Sequence, residues 1–168
     1  MRHTETALKW IVEILNELKA PFEIDGGMAA AAYGAKRELA DIDINVSEED
    51  FYKIVPLVKE YIHFGPQWFR DDHWELLMMT VKYAGQNIDI SPVEQMKYFD
   101  TDKNQWVRFP SDLSDTRVME WMGMKLPFIN EVKLMIYKQQ LGRGVDKKDV
   151  KGMLNQLEGS DGDVTDAA

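Results

Sequence analysis

The sequence contains no cysteine, and this absence excludes disulfide bonds, thiolate metal sites and a cysteine nucleophile. It has only three histidines, His3, His63 and His73, and no two of them share the spacing of metal ligands. A zinc site built from histidine and cysteine is therefore not expected.

Positive charge and long apolar runs are also scarce. The chain has 20 Lys and Arg against 29 Asp and Glu, a net charge of −9, which disfavours duplex nucleic acid and anionic membranes as partners. No apolar run approaches the roughly 18 residues of a membrane-spanning helix. The N-terminal segment is amphipathic and lacks the features of a secretory signal. We therefore expect a cytoplasmic protein.

The length of 168 residues suits one domain, and hydrophobic residues, at 45%, are sufficient for its core. Helical and strand patterns alternate in the first half, strand patterns follow in the middle, and helical patterns come last. This order predicts an α/β (α+β) fold with a mixed β-sheet flanked by helices and with C-terminal helices. We assign the domain to residues 1–157 and expect the polar, acidic tail, residues 158–168, to be disordered.

Several boundaries follow from capping residues. Ser47 opens a predicted helix that extends to about Tyr61, and Asn130 opens another that ends at Gly142. On this second helix Val132 is expected to face the core, together with Leu134, Met135 and Leu141. A last helix is expected at about residues 147–157. Strands are predicted at residues 22–25, 42–46, 74–83, 87–90, 105–109 and 117–121.

Two carboxylates stand out in the second strand. Residues two apart on a strand point to the same face, so Asp41 and Asp43 lie side by side while Ile42 and Ile44 point to the other face. Two like charges this close repel unless a cation lies between them, and carboxylate oxygens suit Mg²⁺ or Mn²⁺. A solvated strand edge with two unrelated acids is the alternative interpretation.

Nearby residues could complete such a site. Gly26-Gly27 lies between a strand and a helix, where glycine lets the backbone approach an anion and the helix offers free N–H groups. Arg37 and Lys36 precede the acidic strand and could contact phosphates. Asp89, between two isoleucines, could face the same metal ions if its strand neighbours the first. Each feature alone also fits a tight turn or a surface charge.

Together these residues resemble the nucleotidyltransferase fold of the polymerase-β type, and within it the small lincosamide and aminoglycoside nucleotidyltransferase-like proteins. The resemblance spans roughly residues 5–155. Its most specific part is the Gly-Gly turn followed by the Asp-x-Asp pair, and its C-terminal part is looser. The matching segments are Asp25-Gly26-Gly27, Arg37, Ala40-Asp-Ile-Asp-Ile44, Ile88-Asp-Ile-Ser-Pro92, Leu126-Pro-Phe-Ile129 and Asp146-Lys-Lys-Asp149.

The resemblance implies two-metal nucleotidyl transfer from a nucleoside triphosphate to a hydroxyl of a small-molecule acceptor, which could be antibiotic-like. It implies that Asp41, Asp43 and Asp89 bind Mg²⁺ or Mn²⁺ and are catalytic. It also implies that Gly26, Gly27, Arg37 and Lys36 contact the nucleotide. Many members carry serine after the Gly-Gly pair. Here the residue is Met28, which leaves only backbone N–H groups for that phosphate contact.

The acceptor is less well specified. Trp68 and Trp74, near the middle of the chain, could stack on an acceptor, although hydrophobic packing is the commoner role of tryptophan. Glu75 could contact an acceptor because it lies on the strand that leads toward Asp89. Two other functions remain open: a toxin-type nucleotidyltransferase that acts on RNA or protein, and a non-catalytic domain that binds a nucleotide or a partner. The nucleotide, the acceptor and the oligomeric state are not specified by the sequence.

Overall fold

The computed structural model describes the backbone of residues 1–166 and the side chains of residues 1–159. The helices of this part are α1 (Thr4–Glu17), α2 (Gly26–Ala32), α3 (Glu48–Ile54), α4 (Glu131–Leu141) and α5 (Gly144–Asp166). The strands are β1 (Phe22–Asp25), β2 (Asp41–Val46), β3 (Ile62–Arg70), β4 (Trp74–Tyr83), β5 (Gln86–Pro92), β6 (Lys97–Asp100), β7 (Gln105–Arg108), β8 (Thr116–Trp121) and β9 (Met124–Ile129).

The strands form a single mixed sheet with helices packed on it, as the sequence predicts. Eight strands follow the order β7-β6-β4-β5-β2-β1-β9-β8, and β3 pairs with β4 outside this path. The pairs β2–β5 and β1–β9 are parallel, and the other pairs are antiparallel. The parallel pairing of β2 and β5 brings together two strands that are far apart in sequence, and these two strands carry the predicted acidic residues.

The core is formed by the apolar half of each alternating pattern. Ile42 and Ile44 of β2 and Ile88 and Ile90 of β5 are 0–1% exposed. Because side chains alternate along a strand, the acidic residues between them project from the other face of the sheet. Helix α1 buries its apolar stripe in the same core, with Leu8, Ile11 and Leu15 fully buried. The buried isoleucines therefore anchor the strands whose opposite face carries the carboxylates.

Local signals explain where several helices begin and end. The Ser47 hydroxyl accepts a hydrogen bond from the Asp50 amide and caps α3, as predicted. However, α3 ends at Ile54, short of the predicted Tyr61, because Pro56 lacks an amide hydrogen and disfavours helical geometry before it. Two short 3₁₀ turns, Val55–Leu57 and Lys59–Tyr61, follow instead.

The C-terminal helices differ from expectation in two respects. Asn130 caps α4 and Gly142 ends it in the left-handed conformation, both as predicted. Val132, however, is 63% exposed, because the buried stripe of α4 begins at Leu134. Helix α5 extends to Asp166, beyond the predicted end near residue 157 and into the segment for which composition predicts disorder. Residues 167–168 of that segment lie outside the described residues.

Three strands are not predicted by the sequence. The pattern of β3 is interrupted by Gly65-Pro66, β6 has only four residues, and β9 contains Pro127. Each of them is defined by its pairing with a neighbour rather than by its own alternation. Within the part of the chain that the structure describes, no helix is long and apolar enough to span a membrane.

Candidate active site

Four carboxylates from three neighbouring strands face one cavity. Asp43 of β2 is in register with Asp89 of the parallel strand β5, and on its other side with Asp25 of the antiparallel strand β1. Asp41 lies two residues before Asp43 on the same face. All four side chains line a cavity of about 560 Å³. Strand pairing therefore brings together Asp41, Asp43 and Asp89, as the sequence predicts, and adds Asp25.

Burial and mutual repulsion disfavour the charged forms of Asp43 and Asp89, and the charge of Lys138 partly opposes this at Asp43. Burial raises the pKa of Asp43 to about 7, and the neighbouring charges of Asp89, Asp25 and Asp41 act in the same direction. Burial also raises the pKa of Asp89, against the effect of a hydrogen bond from the Thr80 hydroxyl (2.5 Å). Among the described residues, no side chain donates a hydrogen bond to the carboxylate of Asp41 or Asp43 or forms an ion pair with it. A cation bound here would relieve this repulsion.

The two glycines allow charged side chains to approach the backbone closely. Gly26 has a φ of +60°, and a methyl group added there would overlap the Asp43 carboxylate. A methyl group at Gly27 would lie 2.5 Å from Nη2 of Arg37. Alanine at either position would therefore displace a charged group of the cavity. Met28, the residue after the pair, is fully buried in the core and does not line the cavity.

A network of cations borders the carboxylates. Arg37 donates two hydrogen bonds to Asp149, at 2.7 and 3.0 Å, and Lys138 lies 3.0 Å from Asp149 and 3.3 Å from Asp146. Arg143 contacts Asp146 at 2.7 and 3.1 Å. Burial alone would raise the pKa of Asp149, but the hydrogen bonds and charges of Arg37 and Lys138 lower it. Three cations thus share two buried carboxylates, and all three also line the cavity.

A second row of polar groups lies behind the carboxylates. The side-chain amide of Asn45 donates to Glu23 (2.8 Å) and to Asp25 (2.9 Å). Tyr137 donates its hydroxyl to Asp25 (2.5 Å), and Ser111 donates to Glu23 (2.6 Å). Burial, and then the charge of Asp25, raises the pKa of Glu23 to about 7. The hydrogen bonds from Asn45 and Tyr137 hold Asp25 in position beside Asp43.

The residues predicted to bind the nucleotide and the acceptor separate into two groups. Gly26, Gly27, Arg37 and Trp74 line the cavity, whereas Lys36 is exposed and does not. Glu75 and Trp68 lie with Arg108 around a smaller cavity of about 370 Å³ on the other face of the sheet. The reason is strand alternation: Trp74 faces the carboxylate side, so its neighbour Glu75 faces away from it. Trp68 pairs with Leu77 and shares that opposite face.

Sequence reasoning missed Lys138, Arg143, Tyr137 and Thr80 as residues of the cavity. One of them has a detectable sequence signal. The buried residues of α4 are Leu134, Tyr137, Lys138 and Leu141, which follow the helical spacing of an apolar stripe. A lysine within such a stripe is unusual unless it is paired, and here it is paired with two aspartates. Arg143 and Thr80 have no comparable signal.

The residues present suit a hard divalent cation. Their donors are carboxylate oxygens, which Mg²⁺ and Mn²⁺ prefer, and burial together with the neighbouring carboxylates raises the pKa of Asp43, so that a bound cation would favour its charged form. In the described part of the chain, no three His, Cys, Asp or Glu side chains are grouped closely enough to hold one ion together. Magnesium usually binds one or two protein carboxylates together with water and substrate phosphates, so the pair Asp41 and Asp43 is compatible with it.

Comparisons with known proteins agree with this architecture. The model of the family described as aminoglycoside-2''-adenylyltransferase matches residues 7–153. No curated protein matches the sequence. Among solved structures, the chain is similar to a candidate nucleotidyltransferase from Thermotoga maritima, with 22% identity and a TM-score of 0.65. That match covers 93% of this chain and 96% of the other.

Two further structures contain antibiotics or their products. The lincosamide antibiotic adenylyltransferase LnuA, with lincomycin bound, is 17% identical with a TM-score of 0.62, covering 91% of this chain and 98% of its own. The structure of ANT(2'')-Ia in complex with adenylyl-2''-tobramycin is 13% identical with a TM-score of 0.57, covering 96% and 93%. At these identities the likeness concerns the fold, and the predicted nucleotidyltransferase fold is confirmed.

Proposed function

This chain belongs to the aminoglycoside-2''-adenylyltransferase family, and we propose that it transfers a nucleoside monophosphate from a nucleoside triphosphate to a hydroxyl group of a small-molecule acceptor. One observation carries the proposal. A single cavity contains the carboxylates of Asp41, Asp43 and Asp89, unpaired with any cation in the described part of the chain, and it is bordered by paired cations. A metal-bound polyphosphate would complement both halves of this arrangement.

The cationic side of the cavity suits the phosphates of the donor. Arg37, Lys138 and Arg143 together carry one positive charge more than the two aspartates with which they pair. Arginine presents several N–H donors, so Arg37 can keep its bonds to Asp149 and still offer a donor to a phosphate oxygen. Because Gly27 has no side chain, the Arg37 guanidinium can lie against the backbone at this point.

The acidic side of the cavity suits the reacting groups. Asp41 and Asp43 would hold Mg²⁺ or Mn²⁺, which when bound neutralises the polyphosphate and lowers the pKa of a hydroxyl group. Asp89, held by Thr80, would accept the proton of the acceptor hydroxyl as its oxygen bonds to the α-phosphorus, or would contribute a ligand to a second ion. The bond from the α-phosphorus to the leaving oxygen breaks, and pyrophosphate departs. The protein contributes mainly orientation and charge.

Thermal unfolding in the presence of nucleotides tests the donor site. Wild type and Asp43→Asn are heated with ATP, GTP, CTP or UTP, each with and without Mg²⁺. A nucleotide at about 100 times its Kd stabilises by roughly 2.7 kcal/mol, which for a chain of this size raises Tm by about 5–10 °C. We expect this shift for at least one nucleotide, only with Mg²⁺, and only in the wild type.

A matched control separates charge at the site from charge in general. Asp102→Asn makes the same chemical change on an exposed turn and should retain the full nucleotide shift. If no nucleotide stabilises the wild type, or if Asp43→Asn shifts as much as the wild type does, the proposed donor site is wrong. If one nucleotide does stabilise the wild type, transfer of label from its α-phosphate to an acceptor is the next assay.

A further inference from the structure

Helix α5 begins with two aspartates that point into the protein. Asp146 and Asp149 are both fully buried, whereas Lys147 and Lys148 between them are exposed. Residues three apart are neighbours on one face of a helix, so the two carboxylates lie close together. In this segment it is therefore the acidic residues that approach the cavity, although neither of them lines it.

The two aspartates join three cations that come from different parts of the chain. Asp149 pairs with Arg37, from the loop before β2, and Asp146 pairs with Arg143, from the turn between α4 and α5. Lys138 of α4 pairs with both aspartates. Arg37, Lys138 and Arg143 are called the cation group below. Cations held this close together would repel one another without the carboxylates among them, so the aspartates make the arrangement possible.

The pairing with Asp149 fixes the direction of the Arg37 side chain. Its Nε and Nη2 atoms donate to the two carboxylate oxygens at 2.7 and 3.0 Å, in a bidentate geometry that orients the guanidinium, which lies against Gly27. The hydrogen bonds to Asp149 raise the pKa of Arg37 against the effect of burial, and the charge of Asp43 acts in the same direction as Asp149. Asp149 therefore determines where Arg37 presents its remaining N–H donors.

The exposure of the cation group distinguishes this network from an ion pair that only attaches α5 to the domain. All three cations line the cavity, and the side chains of Arg37 and Arg143 are 24% and 32% exposed, while their aspartate partners are completely buried. The group carries one positive charge more than the two aspartates. In the proposed reaction the α-phosphorus reacts beside the metal-binding carboxylates, so the two outer phosphates of the donor are left to meet this charge.

We propose that Asp146 and Asp149 are positioning residues, which hold the cation group in the arrangement that binds the β- and γ-phosphates of the nucleoside triphosphate. Asp149 acts mainly through Arg37 and Asp146 mainly through Arg143, while Lys138 joins the two pairs. Neither aspartate touches the phosphates itself. This inference rests on the proposed function, because it concerns the donor of that reaction.

Calorimetric titration of the full chain with inorganic pyrophosphate and Mg²⁺ tests the proposal without relying on catalysis. Asp149→Asn and Asp146→Asn each keep the size of the side chain but replace one acceptor oxygen with an N–H donor group. Removing a negative charge would by itself strengthen the binding of an anion. Loss of position acts in the opposite direction, and we expect each variant to weaken pyrophosphate binding at least about tenfold, one decade in Kd.

Asp115→Asn is the matched control. It makes the same chemical change in an ion pair with Lys133, which also belongs to α4 but does not line the cavity, and it should leave the Kd within about twofold of the wild type. Circular dichroism confirms that each variant is folded. A variant that is only partly folded lowers the stoichiometry of the titration and leaves the Kd unchanged, so a change in Kd reports on position.

A double-mutant cycle tests whether Asp149 acts through Arg37. Arg37→Lys keeps the positive charge but cannot form the bidentate pair, so it should also weaken pyrophosphate binding about tenfold. In the Arg37→Lys background, Asp149→Asn should then have at most about a threefold further effect. Arg37→Lys leaves both aspartates in place, and it decides the test if neither asparagine variant folds.

The inference is overturned if the wild type does not bind pyrophosphate, if either folded asparagine variant binds it as tightly as the wild type or more tightly, or if the effects of Asp149→Asn and Arg37→Lys add. An unchanged Kd for Arg37→Lys has the same meaning. Failure of the proposed function has a different signature, since no nucleotide would then stabilise the wild type with Mg²⁺. Nucleotides that stabilise the wild type and the asparagine variants equally would refute the positioning role alone.

Discussion

The cavity has an acidic side, formed by Asp41, Asp43 and Asp89, and a cationic side, formed by Arg37, Lys138 and Arg143. The two sides differ in whether their buried charges are paired. On the cationic side, Asp146 and Asp149 are fully buried and each pairs with two cations. On the acidic side, Asp41 and Asp43 lie near two further carboxylates, and no cation of the described chain pairs with them. The paired aspartates, Asp146 and Asp149, stabilise the fold, whereas the unpaired carboxylates of Asp41 and Asp43 are available to bind a ligand.

The pKa shifts follow the same division. The pKa of Asp149 is lowered although the residue is buried, because Arg37 and Lys138 stabilise its charged form. The pKa of Asp43 is raised to about 7, because burial and three negative neighbours act together. Perturbed carboxylates in a cleft are typical of functional sites, although structural ion pairs can also perturb them. Here the direction of the pKa shift distinguishes the two sides, because it is upward for Asp43 and downward for Asp149.

The largest effect is expected from the acidic side. Asp43→Asn keeps the shape of the side chain but removes the charge that would hold the metal ion. Turnover in the labelled-nucleotide assay should fall by several orders of magnitude, while the chain remains folded by circular dichroism. Turnover within tenfold of the wild type would remove Asp43 from the proposed mechanism.

On the cationic side, the largest effect is expected on stability. Asp149→Ala leaves Lys138 buried with one partner fewer and Arg37 without its bidentate carboxylate. Breaking a buried pair in this way should lower the free energy of unfolding in urea by about 3–5 kcal/mol. The control is Glu38→Ala, which removes the exposed partner of Arg2 and should cost less than about 1 kcal/mol. Equal costs for the two variants would contradict the division between the sides.

The pH dependence of stability should also distinguish the two sides. Glu23 and Asp43 have pKa values raised to about 7, so the folded chain binds more protons than the unfolded chain between about pH 4 and pH 7. Across this window, their contribution to the metal-free protein makes the free energy of unfolding fall as pH rises. Asp149, whose pKa is lowered, acts in the opposite direction.

A variant isolates this contribution. Glu23→Gln keeps an oxygen for the Asn45 amide but cannot ionise. Metal-free Glu23→Gln should therefore gain stability relative to the wild type as pH rises from about 4 to 8, by a few kcal/mol. Urea unfolding at several pH values measures this. A difference between variant and wild type that is constant with pH would show that Glu23 does not titrate with a raised pKa.

The smallest effect is expected where a neutral group supports a carboxylate. Thr80→Val removes the hydroxyl that donates to Asp89 and retains a β-branched side chain suited to the strand. It should cost about 1 kcal/mol of stability and raise the pKa of Asp89 further, shifting the pH profile of turnover to higher pH. Thr101→Val, which removes an exposed hydrogen bond to the Gln140 carbonyl, is the control and should leave the profile unchanged. A profile unchanged by Thr80→Val as well would show that Thr80 does not support Asp89.

The parts of the site that could be predicted are those with a local pattern. The alternation of Asp41, Ile42 and Asp43 specifies which residues share a face, and the structure places both carboxylates in the cavity. The sequence assigns Glu75 to the acceptor because its strand leads toward Asp89, and Trp68 because it lies near Trp74 in the chain. The assignment of all three residues to one site overlooked strand alternation, which separates Glu75 from Trp74 onto opposite faces.

Sequence alone determined the mixed fold, the order of its main elements, the acidic pair and the Gly-Gly turn, because each depends on residues within one element. Tertiary structure alone decided which strands became neighbours. The parallel pairing of β2 with β5 brings Asp89 to Asp43, and the return of α4 and α5 brings Lys138 and Asp149 to Arg37. Such contacts join residues 46 to 112 positions apart, and their partners are selected by packing of the whole core rather than by local preference.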